Sequence, residues 1–281
     1  MSVGGPRIAL NTGHEIPQLG IGTYLIPRED TERLVAEALE IGYRHIDGAA
    51  SYGNEREIGR AIAASGIPRE EIFVTTKLWN DRHAGDEPRR AFEESLGRLG
   101  LEYVDLYLIH WPVPSEDRYV HAWHRLEAIR DEGLARSIGV SNFLVEHLER
   151  LARESDTVPA VDQIELHPAF QQAELVARAR ARGTAIEAWS PLGRGRYPVL
   201  EEEPIVRAAA AHGRTPAQVA LRWQLQRGHV IFPKTARPER LRENHAILDF
   251  ELTADEEAAI TALDRDGRVG RHPNTVGVSI P

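Results

Sequence analysis

Tyr43-Arg44-His45-Ile46-Asp47-Gly48-Ala49-Ala50-Ser51-Tyr52-Gly53-Asn54-Glu55 opens the unit whose reading decides the fold of this chain. A short β-rich run over 43–46 stops at an aspartate, and a helical pattern follows over 54–65. A second β-rich run, Ile72-Phe73-Val74-Thr75-Thr76, then stops at Lys77. Strand, helix, strand in that order is the mark of a parallel crossover unit.

The alternation continues along the chain in both directions. Helical patterns occupy about 31–41, 54–65, 86–99, 119–131, 144–154, 173–182, 204–227 with a break near Gly213, and 237–243. Between them lie β-rich runs at 43–46, 72–76, 104–109, 137–140, 161–166, 185–189, 230–232 and, more weakly patterned, 246–248. Eight strands each followed by a helix predict a closed parallel sheet, an α/β fold of the (β/α)8 TIM-barrel type forming a single domain over residues 1–281. An open doubly wound sheet would carry a G-x-G-x-x-G turn after its first strand. None is present, and Gly193-Arg194-Gly195-Arg196 fails at the third glycine. Upstream, residues 7–26 alternate weakly around Asn11-Thr12-Gly13 as a small hairpin suited to plugging one end of the barrel. Gly20-Ile21-Gly22-Thr23-Tyr24 reads as a turn-rich approach. Residues 265–281 lack periodicity and read as a tail across the barrel.

Composition narrows the function classes. A net charge of −9 argues against a nucleic-acid or anionic-membrane surface, since both partners are held by clustered cations. No run of eighteen apolar residues and no leader pattern at the start point to a cytoplasmic protein. Cysteine is absent, and the twelve histidines form no H-x-x-x-H or H-E-x-x-H pattern, so no metal site is expected. Of the 34 basic residues only Lys77 and Lys234 are lysine. An ammonium differs from a guanidinium as a compact, tunable point charge, and both lysines stand at strand ends.

Active sites of such barrels gather at the carboxyl ends of the strands. Those ends read Asp47; Thr76-Lys77; His110-Trp111; Ser141-Asn142; Gln163 with Glu165; Trp189-Ser190-Pro191-Leu192; and Pro233-Lys234-Thr235. Asp47, Tyr52, Lys77 and His110 form a coherent chemical set. Tyrosine is a poor acid with an ordinary pKa of about 10, and an adjacent ammonium is expected to lower it. Asp47 would balance Lys77, and His110 would hydrogen-bond a substrate oxygen from the other side. A proton donor and a polarising group aimed at one oxygen suit carbonyl reduction. For any single Asp and Tyr the plainer alternative is a helix cap near Asn54 and a packing ring. Trp123, Trp223 and the histidines at 124, 147, 167, 212, 229 and 245 are assigned to packing or surface.

The motifs I-D-x-A-x-x-Y-G-N-E (Ile46 to Glu55), T-K-L-W (Thr76 to Trp79), L-I-H-W-P (Leu108 to Pro112), G-V-S-N-F (Gly139 to Phe143) and P-K-T with R-x-x-E-N (Pro233 to Thr235, Arg240 to Asn244) resemble those of the aldo-keto reductases. Overall length and compact loops are most similar to the bacterial branch that includes 2,5-diketogluconate reductases. The resemblance implies a monomer that binds NADPH without a Rossmann fold and reduces a small carbonyl substrate, such as a keto sugar or diketo acid. It implies that Trp189 stacks on the nicotinamide and that Ser141, Asn142 and Gln163 bind its carboxamide. Ser190, Pro191, Leu192 and Gly193 would pass the pyrophosphate. Lys234, Thr235 and Arg240 would form the 2′-phosphate site, with Glu243 and Asn244 at the adenine. Tyr24, Trp79, Trp111 and His110 would line the substrate pocket. The phosphate group also follows from chemistry, since a dianion wants clustered cations and a helix amino terminus, and the last barrel loops are its usual place. Gly48 departs from the small hydroxyl residue usual in the family, and the loop 193–203 is short.

Two other readings compete. A non-catalytic NADP(H)-binding sensor or structural protein on the same barrel would bind cofactor without turnover. A barrel hydrolase would pair Asp47 with Glu165 and leave both lysines unexplained.

Overall fold

A computed structural model describes residues 4–278. The readings made on residues 1–3 and 279–281 lie outside the described residues. An antiparallel hairpin, β1 (Arg7–Ala9) and β2 (Glu15–Pro17), precedes eight parallel strands. These are β3 (Ile21–Gly22), β4 (His45–Asp47), β5 (Phe73–Leu78), β6 (Val104–Ile109), β7 (Ala135–Ser141), β8 (Val161–Glu165), β9 (Ala185–Trp189) and β10 (Val230–Ile231), paired in sequence order. The barrel closes where Leu19, just ahead of β3, bridges Ile231 in parallel. Gly20 N donates to Ile231 O at 2.8 Å and Ile231 N to Gln18 O at 2.8 Å across that seam.

Around the strands lie α1 (Arg28–Ile41), α2 (Glu55–Ala64), α3 (Glu87–Leu99), α4 (Tyr119–Asp131), α5 (Val145–Glu154), α6 (Ala173–Ala181), α7 (Glu203–His212), α8 (Pro216–Gln226), α9 (Pro238–His245) and α10 (Ala254–Thr261). The break near Gly213 separates α7 from α8, where Thr215 and Gln218 form a reciprocal cap.

Two expectations are corrected. Residues Ala246–Asp249 form a 3-10 turn and not a strand. The remaining barrel strand is β3, upstream of Asp47, in the segment expected to be a turn. Its Gly22 and the preceding Gly20 reflect close approach: a Cβ on Gly22 would lie 2.6 Å from Phe232 O, and one on Gly20 would lie 2.8 Å from His45 O. Helix α10 was also unanticipated. Of its residues only Ile260 is buried, which leaves too few apolar positions to make a stripe. Its Thr253-x-x-Glu256 capping box was the available signal.

Strand alternation divides the interior in two. Outward residues such as Ile46, Val74, Ile109, Ile138, Ile164 and Ile186 pack with Leu34, Phe92, Trp123, Trp223 and other helix residues into the main core. Inward residues Phe73, Leu106, Leu108, Val161 and Val230 join Leu10 and Ile16 of the hairpin in a second, smaller core. The hairpin thus plugs the amino end of the barrel, as its sequence suggested. Toward the opposite end the interior turns polar, with His45, Asp47, Lys77, Gln163 and Glu187 all buried.

Asn54 does not cap α2 with its side chain, and neither does Asp47. The buried Asn54 amide instead donates to Thr23 O at 3.0 Å and approaches Thr31 Oγ1 at 3.3 Å, tying the loop after β3 to the start of α2. Asn54→Ala would leave the Thr23 carbonyl without this donor in a dry site. We expect a loss of roughly 1–3 kcal/mol in urea unfolding; stability equal to the unaltered protein would contradict this account.

Candidate active site

Parallel register places the four central residues. Asp47 at the end of β4 pairs with Thr75 on β5, so Lys77, two residues further along the same face, reaches back to it. Lys77 Nζ donates to Asp47 Oδ1 at 2.6 Å and to the Gly48 carbonyl at 2.8 Å, with the lysine side chain fully buried. The expected ion pair is therefore present, and Gly48, bonded through its amide to Thr75 O at 2.9 Å, is part of its frame. Tyr52 ends the short 3-10 turn Ala50–Tyr52, after which Gly53 adopts a left-handed conformation at φ 71°. The Lys77 ammonium lies 5.2 Å from the Tyr52 ring centroid. His110 follows β6, its ring 5.8 Å from that of Tyr52 and 5.0 Å from that of Trp79.

The electrostatics correct one expectation. Lys77, with hydrogen bonds to Asp47 and Gly48, does not set the net direction of the phenol's shift. Burial instead pushes the Tyr52 phenol well above its ordinary value, with Asp47 and Tyr24 adding to the effect and Arg194 opposing it. Burial, then Lys77 and His83, hold His110 well below the usual imidazole range, so its ring is neutral. Tyr52 thus keeps its phenolic proton, and neutral His110 can donate one N–H to an oxygen placed between them.

A cavity of about 790 Å³ connects these groups with nearly every other residue singled out in the sequence. Tyr24, Trp79 and Trp111 line it beside Tyr52, while Ser141, Asn142, Gln163, Trp189, Ser190, Pro191 and Leu192 line its middle. Lys234, Thr235, Arg240, Glu243 and Asn244 lie on the same wall system. Gly193 is buried behind that lining. Ser141, Asn142, Gln163 and Trp189 are already joined to one another. Ser141 Oγ donates to Gln163 O at 2.9 Å, Asn142 Nδ2 to Ser141 Oγ at 3.0 Å, and the Trp189 indole to Asn142 Oδ1 at 2.8 Å. Asn142 stands at φ 63°, a left-handed conformation that asparagine tolerates better than most residues. Lys234 and Arg240 are exposed and have no carboxylate partner among the described residues. They flank the amino terminus of α9, whose first turn has no side-chain cap. Glu243 is bound to Thr215, whose hydroxyl donates to it at 2.6 Å.

Several residues of the site went unnoticed in the sequence. Arg194, at φ 53°, lays its guanidinium 5.6 Å from the Tyr24 ring centroid across the cavity mouth. Leu25, Leu200 and Arg271 also line the cavity. The tail supplies the least expected contact. Glu165 accepts the amides of Val269 at 2.6 Å and Gly270 at 2.9 Å, and a Cβ on Gly270 would lie 2.4 Å from the Trp189 ring. Burial raises the Glu165 carboxyl, but hydrogen bonds from His167 and these two amides outweigh it and hold the group below its ordinary range. With both oxygens occupied, Glu165 is not a free carboxylate for the hydrolase reading. No local pattern announced these contacts, because they join residues far apart in the chain, 104 and 105 positions for the two bonds to Glu165.

The chain matches the Aldo/keto reductase family over residues 17–265. It is 51% identical to an aldo-keto reductase of Mycolicibacterium smegmatis over 270 residues, covering 96% of this chain and 98% of that protein. It is 44% identical to the methylglyoxal reductase DkgA of Escherichia coli, with the same two coverages. Among solved structures, a Gox0644 variant in complex with NADPH superposes with a TM-score of 0.92 at 45% identity, covering 97% of this chain and 98% of that one. A Bombyx mori aldo-keto reductase in complex with NADP gives 0.89 at 39% identity, covering 96% of each chain. With the matched region spanning the barrel and its catalytic rim, this chain belongs to the aldo/keto reductase family.

Proposed function

We propose that the protein reduces small aldehydes and ketones to alcohols with NADPH, with Tyr52 as the proton donor. The observation that carries this reading is that one cavity brings together Asp47, paired behind the wall with Lys77, and Tyr52, His110, the Trp189 ring, and two cations, Lys234 and Arg240, that have no carboxylate partner among the described residues. Relatives named methylglyoxal reductase add support for a compact carbonyl substrate. The bacterial 2,5-diketogluconate reductase resemblance adds keto sugars and diketo acids to the compounds worth assaying.

The residues fit the cofactor. Lys234, Arg240, Thr235 and the amino end of α9 would hold a 2′-phosphate. Trp189 offers a ring face for the nicotinamide, and Gln163 with Ser141 and Asn142 offers polar groups for its carboxamide. Bound NADPH supplies the hydride. Everything else falls to the chain. His110, neutral, orients the carbonyl oxygen by hydrogen bonding, and Tyr52 hands that oxygen its phenolic proton as negative charge develops there. A phenol held above its ordinary pKa is fully loaded but reluctant, so the Lys77 ammonium beneath the ring stabilises the charge left on it. Asp47 keeps that ammonium in place and balanced.

Loss of NADPH absorbance on adding methylglyoxal, with NADH in parallel, tests the activity directly. Tyr52→Phe should lower turnover by about 10² to 10⁴-fold while NADPH still binds; undiminished reduction would remove Tyr52 from the mechanism. Arg240→Ala should raise the Kd for NADPH much more than that for NADH, and equal losses would remove the phosphate assignment. Gly270→Ala should force Trp189 from its position and weaken NADPH binding several-fold, on the order of 1 kcal/mol or more for an overpacked contact. Wild-type affinity in that variant would show that the tail does not position the ring.

A further inference from the structure

Beneath the Asp47–Lys77 pair lies a second carboxyl group that the mechanism above does not use. Glu187, on β9, is fully buried and points into the barrel. The Gln163 side-chain nitrogen carries two hydrogens and spends both inward, one on Asp47 Oδ1 at 2.9 Å and one on Glu187 Oε2 at 2.7 Å. The amide is thereby locked in one orientation. Its Oε1 has no donor among the described residues and is left as an acceptor at the cavity.

We propose that Glu187, in its neutral form, is a positioning residue for the reduction, holding the Gln163 amide in the orientation that receives the cofactor and leaving the Lys77 ammonium to Asp47 alone. The inference rests on the carbonyl-reductase reading above. The buried charges support the neutral form by simple counting. One cation, Lys77, faces two carboxyl groups, and Asp47 already holds it at 2.6 Å. His45 offers no second cation. Its Nδ1 faces the Pro17 carbonyl at 3.3 Å and must carry the hydrogen there, which leaves Nε2 to accept from the Thr75 hydroxyl at 3.2 Å. Burial pushes that imidazole down to about 3, with Lys77 adding to the effect. Asp162, which faces outward from β8, is held well above the carboxylate range by burial and is neutral as well. Glu187 Oε1 has no hydrogen-bond partner, so no donor is in place to stabilise a carboxylate charge on that oxygen. The Glu187 carboxyl stands raised to about 8, chiefly by burial and then by Asp47, against the opposing Gln163 bond and Lys77.

The sign follows from these positions. Below that pH Glu187 is neutral, and the amide and ion pair stand as described. Above it a second anion competes for Lys77, and its field pushes the already raised Tyr52 phenol higher. Both kcat/KM and NADPH affinity of the intact protein should therefore fall as pH rises through about 8, to roughly a tenth one unit higher if only the neutral form is productive. Glu187→Gln keeps the shape, removes the titration, and should shift this limb upward by a pH unit or more. Glu187→Thr, which suits a strand, serves as a second non-titrating variant. An alkaline limb unmoved in either variant, or wild-type profiles flat from pH 7 to about 9.5, would overturn the proposal. NADPH affinity, read by quenching of tryptophan fluorescence, separates the two readings. Affinity that declines in the wild type and not in the variant upholds Glu187 even if no carbonyl is turned over, whereas absent turnover at every pH counts against the proposed function.

Discussion

A fully buried lysine is tolerated here only because a carboxylate meets it at hydrogen-bond distance. Removing an ammonium from water costs several kcal/mol, and the attraction to Asp47, aided by the Gly48 carbonyl, offsets that cost only if the geometry is maintained. Much of the upper barrel can be understood as maintenance of that geometry. The β4–β5 register sets the two residues on one inner face, the Gly48 amide is fixed to β5, and the Asn54 amide holds the neighbouring loop. Tyr52 then lies over the ammonium, with its proton retained by burial, and His110 faces it from the next strand.

The barrel separates two kinds of stability. Aliphatic packing between the outer faces of the strands and the helices carries the fold, and the hairpin seals the lower interior with a small apolar core. The upper interior gives up apolar burial for a ladder of His45, Glu187, Gln163, Asp47 and Lys77. Such a ladder is tolerable only when each polar group finds a partner or sheds its charge. This chain uses both solutions: Asp47 and Lys77 pair, while His45 and Glu187 stay neutral.

The parallel architecture and most of the catalytic rim were legible in the sequence because each depends on local pattern. Short β-rich runs ending in Asp47, Lys77, His110 or Asn142 announced the strands and the polar groups gathered at their ends, and the scarcity of lysine singled out Lys77, which the structure buries against Asp47. Strand β3 was hidden because its Gly22 and the preceding Gly20, required by the close approach of Phe232 and His45, carry the composition of a turn. The direction of the Tyr52 shift was misjudged because it depends on depth and on where the lysine hydrogens point, neither of which a linear pattern records. Arg194 and the tail contacts were invisible for a related reason: their partners lie far away in the chain.

The bond between Glu165 and the amides of Val269 and Gly270 spans about a hundred residues and bears on the ring of Trp189. On a ribosome, strand β9 emerges long before residue 270 does, so the barrel's central aromatic is made early and restrained last. Domains fold as their chains are delivered from the amino end. In this protein the Trp189 ring, already tied to Asn142 through its indole, therefore gains its contact with Gly270 only after that residue has emerged, so this wall of the cavity is completed late in folding.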